Sequence, residues 1–312
     1  MWPAGPVTPS SRRPVSRRAA AGLAGLIAVA VAVVGVSVVS GQPEPIPAPP
    51  GAVEASISAT GEDPAVRLAV AGDVGTGDDQ ERRTASAAAS RAGGRGWDAL
   101  VLLGDNIYED GDPARARSAV LDPFEEVLQP GVPLLAALGN HDADSGNGPA
   151  QLDALGQPGP WFAQRFGPLL LVVLDSNRPD DPEQLAWLEQ TLAQDDATWT
   201  VAAMHHPMRS AGYHGSDEEV RQAFAPLFKQ FGVQLALAGH DHDYQRSRII
   251  DGTTYIVSGA AAKLRPAGSN GDTVVSQSVR HFLDLSIYQD RLVVQAVDQS
   301  GSVFDGVVIP AG

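Results

Sequence analysis

Taken as a pattern of apolar and polar positions, the chain changes character twice. Residues 19–40 form an uncharged run of Ala, Val and Gly, residues 41–64 are rich in Pro and Ala, and from residue 65 short apolar blocks alternate with helix-like segments. The blocks at 66–71, 99–103, 132–138, 169–174, 199–204 and 233–238 are apolar at nearly every position, which predicts buried strands. Residues 80–92, 181–192 and 218–231 between them read as helices, the second with a start signal at Asp181. Beyond residue 247 shorter β-like runs at 254–258, 282–287 and 291–297 are divided by Gly and Asp turns, which predicts a second sheet built partly from hairpins. No internal repeat is present.

The blocks end alike. Gly72-Asp73-Val74-Gly75 follows the first and Gly104-Asp105-Asn106-Ile107-Tyr108 the second; Gly139-Asn140-His141-Asp142, Asp175-Ser176, His205-His206-Pro207 and Gly239-His240-Asp241-His242 follow the rest. In open α/β sheets ligands sit in the crevice beyond the carboxyl ends of the strands, so these endings converge on one site. Side chains of an extended segment alternate, and His240 and His242 therefore project to the same side, as two ligands on neighbouring metals would. Six of the seven histidines, 141, 205, 206, 214, 240 and 242, lie in these segments. Asp73, Asp105, Asn140 and the Tyr108 phenol supply oxygens at the same edge. Singly, each has a plainer reading: Asp and Asn favour turns, Tyr108 can pack on a sheet edge, and His214 can be a surface loop residue. His281 opens a β-like run and reads as structural.

Composition narrows the chemistry. The 312 residues include no cysteine, which excludes disulfides, thiolate metal sites and cysteine nucleophiles. The net charge is −15, and four arginines of residues 1–40 stand without an acid, leaving 18 basic against 37 acidic residues. That is the wrong sign for a nucleic-acid partner, and it disfavours polyanionic substrates at long range. No Gly-x-x-x-x-Gly-Lys loop, Gly-x-Ser-x-Gly elbow or Gly-x-Gly-x-x-Gly fingerprint occurs. The expected organisation is a basic cytoplasmic segment (1–18), a transmembrane anchor or signal peptide (19–40), an extended linker (41–64) and a catalytic domain (65–312). Anchor and signal peptide alike place the catalytic domain outside the cytoplasm, membrane-anchored or secreted. A twin-arginine reading of Arg12-Arg13 and Arg17-Arg18 lacks the residues that should follow.

The set Gly72-Asp73-x-Gly75, Gly104-Asp105-x-x-Tyr108, Gly139-Asn140-His141-Asp142, His205 and Gly239-His240-x-His242 resembles the five-block signature of the calcineurin-like metallophosphoesterases. Tyr108 makes it similar to the purple acid phosphatase branch, in a short form without a preceding β-sandwich. The resemblance implies an α/β fold, a four-layer α/β/β/α sandwich of two mixed sheets flanked by helices. It implies that Asp73, Tyr108 and His242 hold Fe(III), that Asp105 bridges, and that Asn140, His205 and His240 hold Fe(II), Zn(II) or Mn(II). Gly75 stands where other branches have a His ligand, and Tyr108 takes over that place.

Such a centre implies hydrolysis of a small-molecule phosphate monoester by in-line attack of a metal-held hydroxide, without a covalent phospho-enzyme. His141 is the expected general acid and His214 the second candidate. His206 stands where related small enzymes have Tyr, and a pocket-wall position suits it better than ligation. Two other functions remain open at this point. One is a phosphodiesterase or nucleotidase on the same metals. The other is a non-catalytic, anchored phosphate-binding envelope protein, for which a leaving-group acid such as His141 has no use.

Overall fold

The computed structural model describes residues 62–311. The expected basic segment and the anchor or signal peptide lie outside the described residues, as does the linker up to residue 61. In chain order the elements are β1 (Val66–Ala71), α1 (Asp79–Ala92), β2 (Ala99–Leu102), β3 (Leu134–Ala136), α2 (Asn140–Ala143) and α3 (Gly148–Ala154). Next come β4 (Phe162–Phe166), β5 (Leu169–Val173), α4 (Pro182–Gln194), β6 (Trp199–Ala203), α5 (Glu218–Phe231) and β7 (Leu235–Ala238). Six strands complete the series: β8 (Tyr244–Ser247), β9 (Thr254–Ser258), β10 (Thr273–Gln277), β11 (His281–Ile287), β12 (Arg291–Asp298) and β13 (Val303–Pro310). The helices start where carboxylates cap them. Asp78 accepts from the backbone of Gln80 and Glu81, Asp181 from Glu183 and Gln184, and Asp217 from Val220.

Two mixed sheets result, ordered β13-β12-β11-β1-β2-β3 and β10-β8-β9-β7-β6-β5-β4. Strands β1, β2 and β3 run parallel, as do β5, β6, β7 and β9. Alternation divides each strand between two cores. Val66, Leu68 and Val70 of β1 join Leu171, Val201 and Leu237 in an apolar layer shared by both sheets. Ala69 and Ala71 face Ala85 and Ala88 of α1, while Leu170 and Ala202 of the other sheet face Leu188 of α4 and Phe224 of α5. The four-layer α/β/β/α sandwich is therefore as expected, and its central strands read as unbroken apolar runs because both faces are covered.

The C-terminal strands differ from the expectation. They do not found the second sheet; β11, β12 and β13 extend the first, with Leu68 of β1 opposite Leu285 of β11 in antiparallel register. The reason is burial: Leu283, Leu285 and Ile287 complete the layer between the sheets, and on the opposite face Asp284 takes Arg67 and Arg91 in ion pairs of 2.7 and 2.9 Å. The second sheet begins at β4; the expected hairpins form as β11–β12, continued antiparallel by β13, in the first sheet and as β8–β9 in the second. Tyr244 of β8 donates its hydroxyl to Asp305 of β13 at 2.6 Å, tying one sheet to the other.

Candidate metal centre

The loops after β1, β2, β3, β6 and β7 meet at one edge, as their common endings predict. Asp73, Asp105 and His242 bring one donor atom each within 4.8 Å of one another, and His205, His206 and His240 do the same. The Tyr108 hydroxyl donates to Asp73 Oδ1 at 3.0 Å and lies 3.3 Å from His242 Nε2. Asp105 Oδ1 stands 3.4 Å from His205 Nε2, so this carboxylate touches both groups. Asn140 Oδ1 lies 3.1 Å from the same His205 nitrogen, and His240 Nδ1 is 3.2 Å from it. All seven residues expected as ligands are thus brought together.

The backbone is bent to achieve this. Asp73, Asp105 and His240 have φ of 57°, 51° and 71°, a left-handed conformation that non-glycine residues rarely adopt. Such strain clusters where function over-determines geometry. Close approach also explains two glycines. A Cβ on Gly104, itself at φ 87°, would lie 2.6 Å from His205 Nδ1, and one on Gly239 would lie 2.5 Å from Asp73 Oδ2.

Hydrogen bonds orient the donors. His205 Nδ1 lies 2.9 Å from the carbonyl of Leu103, which can only accept, so Nδ1 carries the proton and Nε2 turns a lone pair to the site. Asp142, buried, receives the backbone N–H groups of Asn106, Ile107 and Gly139 at 2.9–3.1 Å, locking the loop after β2 to the loop after β3. His206 is different. Ser176 Oγ accepts the backbone N–H of both His205 and His206, at 3.2 and 2.8 Å, which uses both hydroxyl lone pairs. Its proton therefore goes to His206 Nδ1, 3.0 Å away, leaving Nε2 of the neutral ring as an N–H donor. His206 joins the cluster, yet as a donor and not as a ligand.

Burial pushes the Asp73 carboxyl up, reinforced by the Asp105 charge, and pushes the Tyr108 phenol up as well. It pushes His205 down, and takes His242 down to about 4 with help from Arg265 and Lys263. Two adjacent buried carboxylates, a phenol, the Asn140 amide oxygen and three imidazoles form a donor set that fits two cations. Cations there would reverse the upward shifts of Asp73 and Tyr108 and would reinforce the neutral state that burial already gives His205 and His242.

The two expected acids are also in place. His141 gives its backbone N–H to Asp105 Oδ1 at 3.1 Å, and its Nδ1 lies 2.6 Å from the Glu109 carbonyl. His214 is exposed; its ring centre is 4.2 Å from that of His240, and its N–H donates to Asp241 at 2.8 Å. His281 lies elsewhere, buried between Tyr244 and Phe304. Sequence reasoning gave no role to Asp142, Ser176, Lys263 or Arg265. Two cations within a Gly- and Ala-rich stretch of an acidic chain were the available signal for the last pair.

The calcineurin-like phosphoesterase family model matches residues 66–244. Rabbit (Oryctolagus cuniculus) tartrate-resistant acid phosphatase type 5 is 27% identical over 247 residues, 65% of this chain and 76% of that protein. Among solved structures, the purple acid phosphatase PPD1 of yellow lupin (Lupinus luteus) superposes with a TM-score of 0.69 at 17% identity, over 78% of this chain and 53% of that one. GAP50, described as the anchor in the inner membrane complex of Plasmodium, gives 0.69 at 18% identity, over 79% of this chain and 89% of that one. The family match begins with β1 and ends just beyond His242, spanning every strand end that feeds the donor cluster: the chain belongs to the calcineurin-like phosphoesterase family of hydrolases.

Proposed function

We propose that the chain is an acid phosphatase of the purple type, a dinuclear-metal enzyme that hydrolyses phosphate monoesters. The observation that carries this reading is the phenol of Tyr108, 3.0 Å from Asp73 and 3.3 Å from His242, where a tyrosinate would complete the coordination of one ion. Asp73, Tyr108 and His242 would hold Fe(III), and Asn140, His205 and His240 would hold Fe(II), Zn(II) or Mn(II). Asp105 would be shared, in keeping with its contact to both groups. A phenolate suits a hard trivalent ion. When bound, the two cations supply Lewis acidity that acidifies water and screens charge gathering on the phosphoryl oxygens.

The chain's own residues do the rest. The ester is held at the strand ends with phosphorus open to in-line attack by water, opposite the leaving alkoxide. His141 gives a proton to the leaving oxygen as the P–O bond breaks. Its Nδ1 is engaged by the Glu109 carbonyl, so Nε2 is the atom that faces substrate. His214 serves as the second candidate for that transfer. The His206 Nε2–H is a donor suited to a phosphoryl oxygen. The proposal extends to a catalytic domain placed outside the cytoplasm, on the strength of the arginines and apolar run within residues 12–40.

The test is a visible absorption spectrum of the purified chain, with iron and zinc content measured on the same sample. A broad band that disappears in Tyr108→Phe while both metals stay bound is the expected result. A colourless protein holding two divalent ions would return Tyr108 to a packing role and remove the purple assignment. Rates on a monoester and a bis-ester separate phosphatase from phosphodiesterase, and no turnover of either by the metal-loaded chain would make it a binding protein.

A further inference from the structure

Two cations, Lys263 and Arg265, stand beside His242 at the candidate centre of this acidic chain. Lys263 and Arg265 stand in the segment between β9 and β10, and the backbone N–H of Arg265 donates to the His242 carbonyl at 2.8 Å. Arg265 is thus fastened to the turn that carries a proposed ligand. Its guanidinium lies 4.3 Å over the ring of Tyr213. Tyr213 is 64% exposed, the most open of the large hydrophobic residues among those described. Its ring is 5.0 Å from His214, whose ring is 4.2 Å from His240, so a continuous series of contacts joins the guanidinium to the donor cluster.

The two cations differ in how far they are engaged. Lys263 Nζ is 3.2 Å from Glu109 Oε1 and 3.2 Å from the centre of the Tyr108 ring. Arg265 has no carboxylate partner among the described residues, although the chain holds 37 acids against 22 bases and Arg67, Arg91 and Arg246 all find buried ones. A guanidinium held over an aromatic face by its carbon leaves N–H groups available to an anion. Bidentate pairing with carboxylate or phosphate is what those groups suit.

We propose that Arg265, seated on Tyr213, is a specificity-determining residue that binds a second anionic group, carboxylate or phosphate, on the part of the substrate beyond the reacting phosphoryl group. The substrate class is then a phosphate monoester with an anionic tail. This rests on the phosphoesterase reading above and refines its substrate.

Binding to non-hydrolysable probes tests the inference apart from turnover. Phenylphosphonate and 3-carboxyphenylphosphonate are titrated calorimetrically into the metal-loaded full chain. The carboxylated probe should bind about tenfold more tightly, and the ratio should shrink in high salt. Arg265→Ala should bring the ratio to about one, Tyr213→Phe should keep it, and Tyr213→Ala should lower it by unseating the guanidinium. Equal affinities in the unmodified chain, a ratio that survives Arg265→Ala, or no binding of either probe each overturns the inference. Hydrolysis of phenyl phosphate is read separately: its absence sinks the phosphatase reading, while the calorimetric ratio still decides this one.

Discussion

Three residues at the centre are held in left-handed backbone, and one side-chain bond crosses between the sheets to brace two of them. Asp73 Oδ2 receives the N–H of His240 at 2.8 Å, so two strained residues, one from each sheet, stabilise each other's conformation. Each such residue costs about 1–2 kcal/mol, which the surrounding bonds offset. The same logic places His141, whose N–H is anchored on Asp105 and whose Nδ1 is anchored on Glu109. His141→Ala should lower kcat about 10²-fold or more on an alkyl phosphate, whose leaving oxygen needs a proton. On 4-nitrophenyl phosphate the loss should be much smaller. Steady-state rates on the two esters check this, and an equal loss on both would show that His141 only positions its neighbours. At this scale the seven expected donors and His141 were legible because each closes a strand in a motif. The character of His206 was not, since it depends on a serine hydroxyl thirty residues away whose lone pairs no local pattern reports.

Among the elements, legibility followed burial. Strands β1, β2, β5, β6 and β7, covered on both faces, appear in the sequence as continuous apolar blocks within a residue or two of their observed ends. Strand β4 does not, because it is a half-exposed edge in which Gln164 and Arg165 interrupt any period. Strand β8 was missed for another reason: its Tyr-Gln-Arg-Ser sequence is polar, and it is buried only because Tyr244 and Arg246 find Asp305 on the other sheet. Helix α1 carries a testable oddity. Glu81 is fully buried in its first turn, and its Oε2 takes the Gly77 N–H at 2.5 Å and the Thr76 hydroxyl at 3.2 Å. Burial pushes its carboxyl up from 4.5 to about 8. A folded-state value above the unfolded one means that the folded chain binds this proton more tightly. The contribution is whole below pH 4.5 and declines through the window up to about 8, by roughly 1.4 kcal/mol per pH unit. Glu81→Gln keeps the shape without the titration, so its stability relative to the unmodified chain should improve steadily from pH 5 to pH 8 in urea unfolding. Parallel profiles would mean that Glu81 stays ionised at no cost.

Across the whole molecule the centre is a junction. Asp73, Asp105, Tyr108 and Asn140 come from the first sheet, and His205, His240 and His242 from the second. The apolar layer between the sheets needs no metal, but its edge brings like-charged carboxylates and inward-facing imidazole nitrogens together, a repulsive arrangement without cations. Bound ions would then act as a cross-link between sheets and add stability in proportion to their occupancy. At a free-ion concentration a thousandfold above Kd the linkage is about 4 kcal/mol, and one kcal/mol moves Tm by roughly 2–4 °C in a domain of this size. Chelation at neutral pH should therefore lower Tm by about 10 °C, and restoring the ions should recover it. His205→Ala removes a donor of the second sheet and should shrink that shift even though the fold persists. A Tm indifferent to chelator, in a chain verified to have lost its metals, would mean that the two sheets are held by their apolar layer and by polar contacts such as those of Tyr244 and Arg246 with Asp305, with the donors pre-formed and the ions contributing only chemistry.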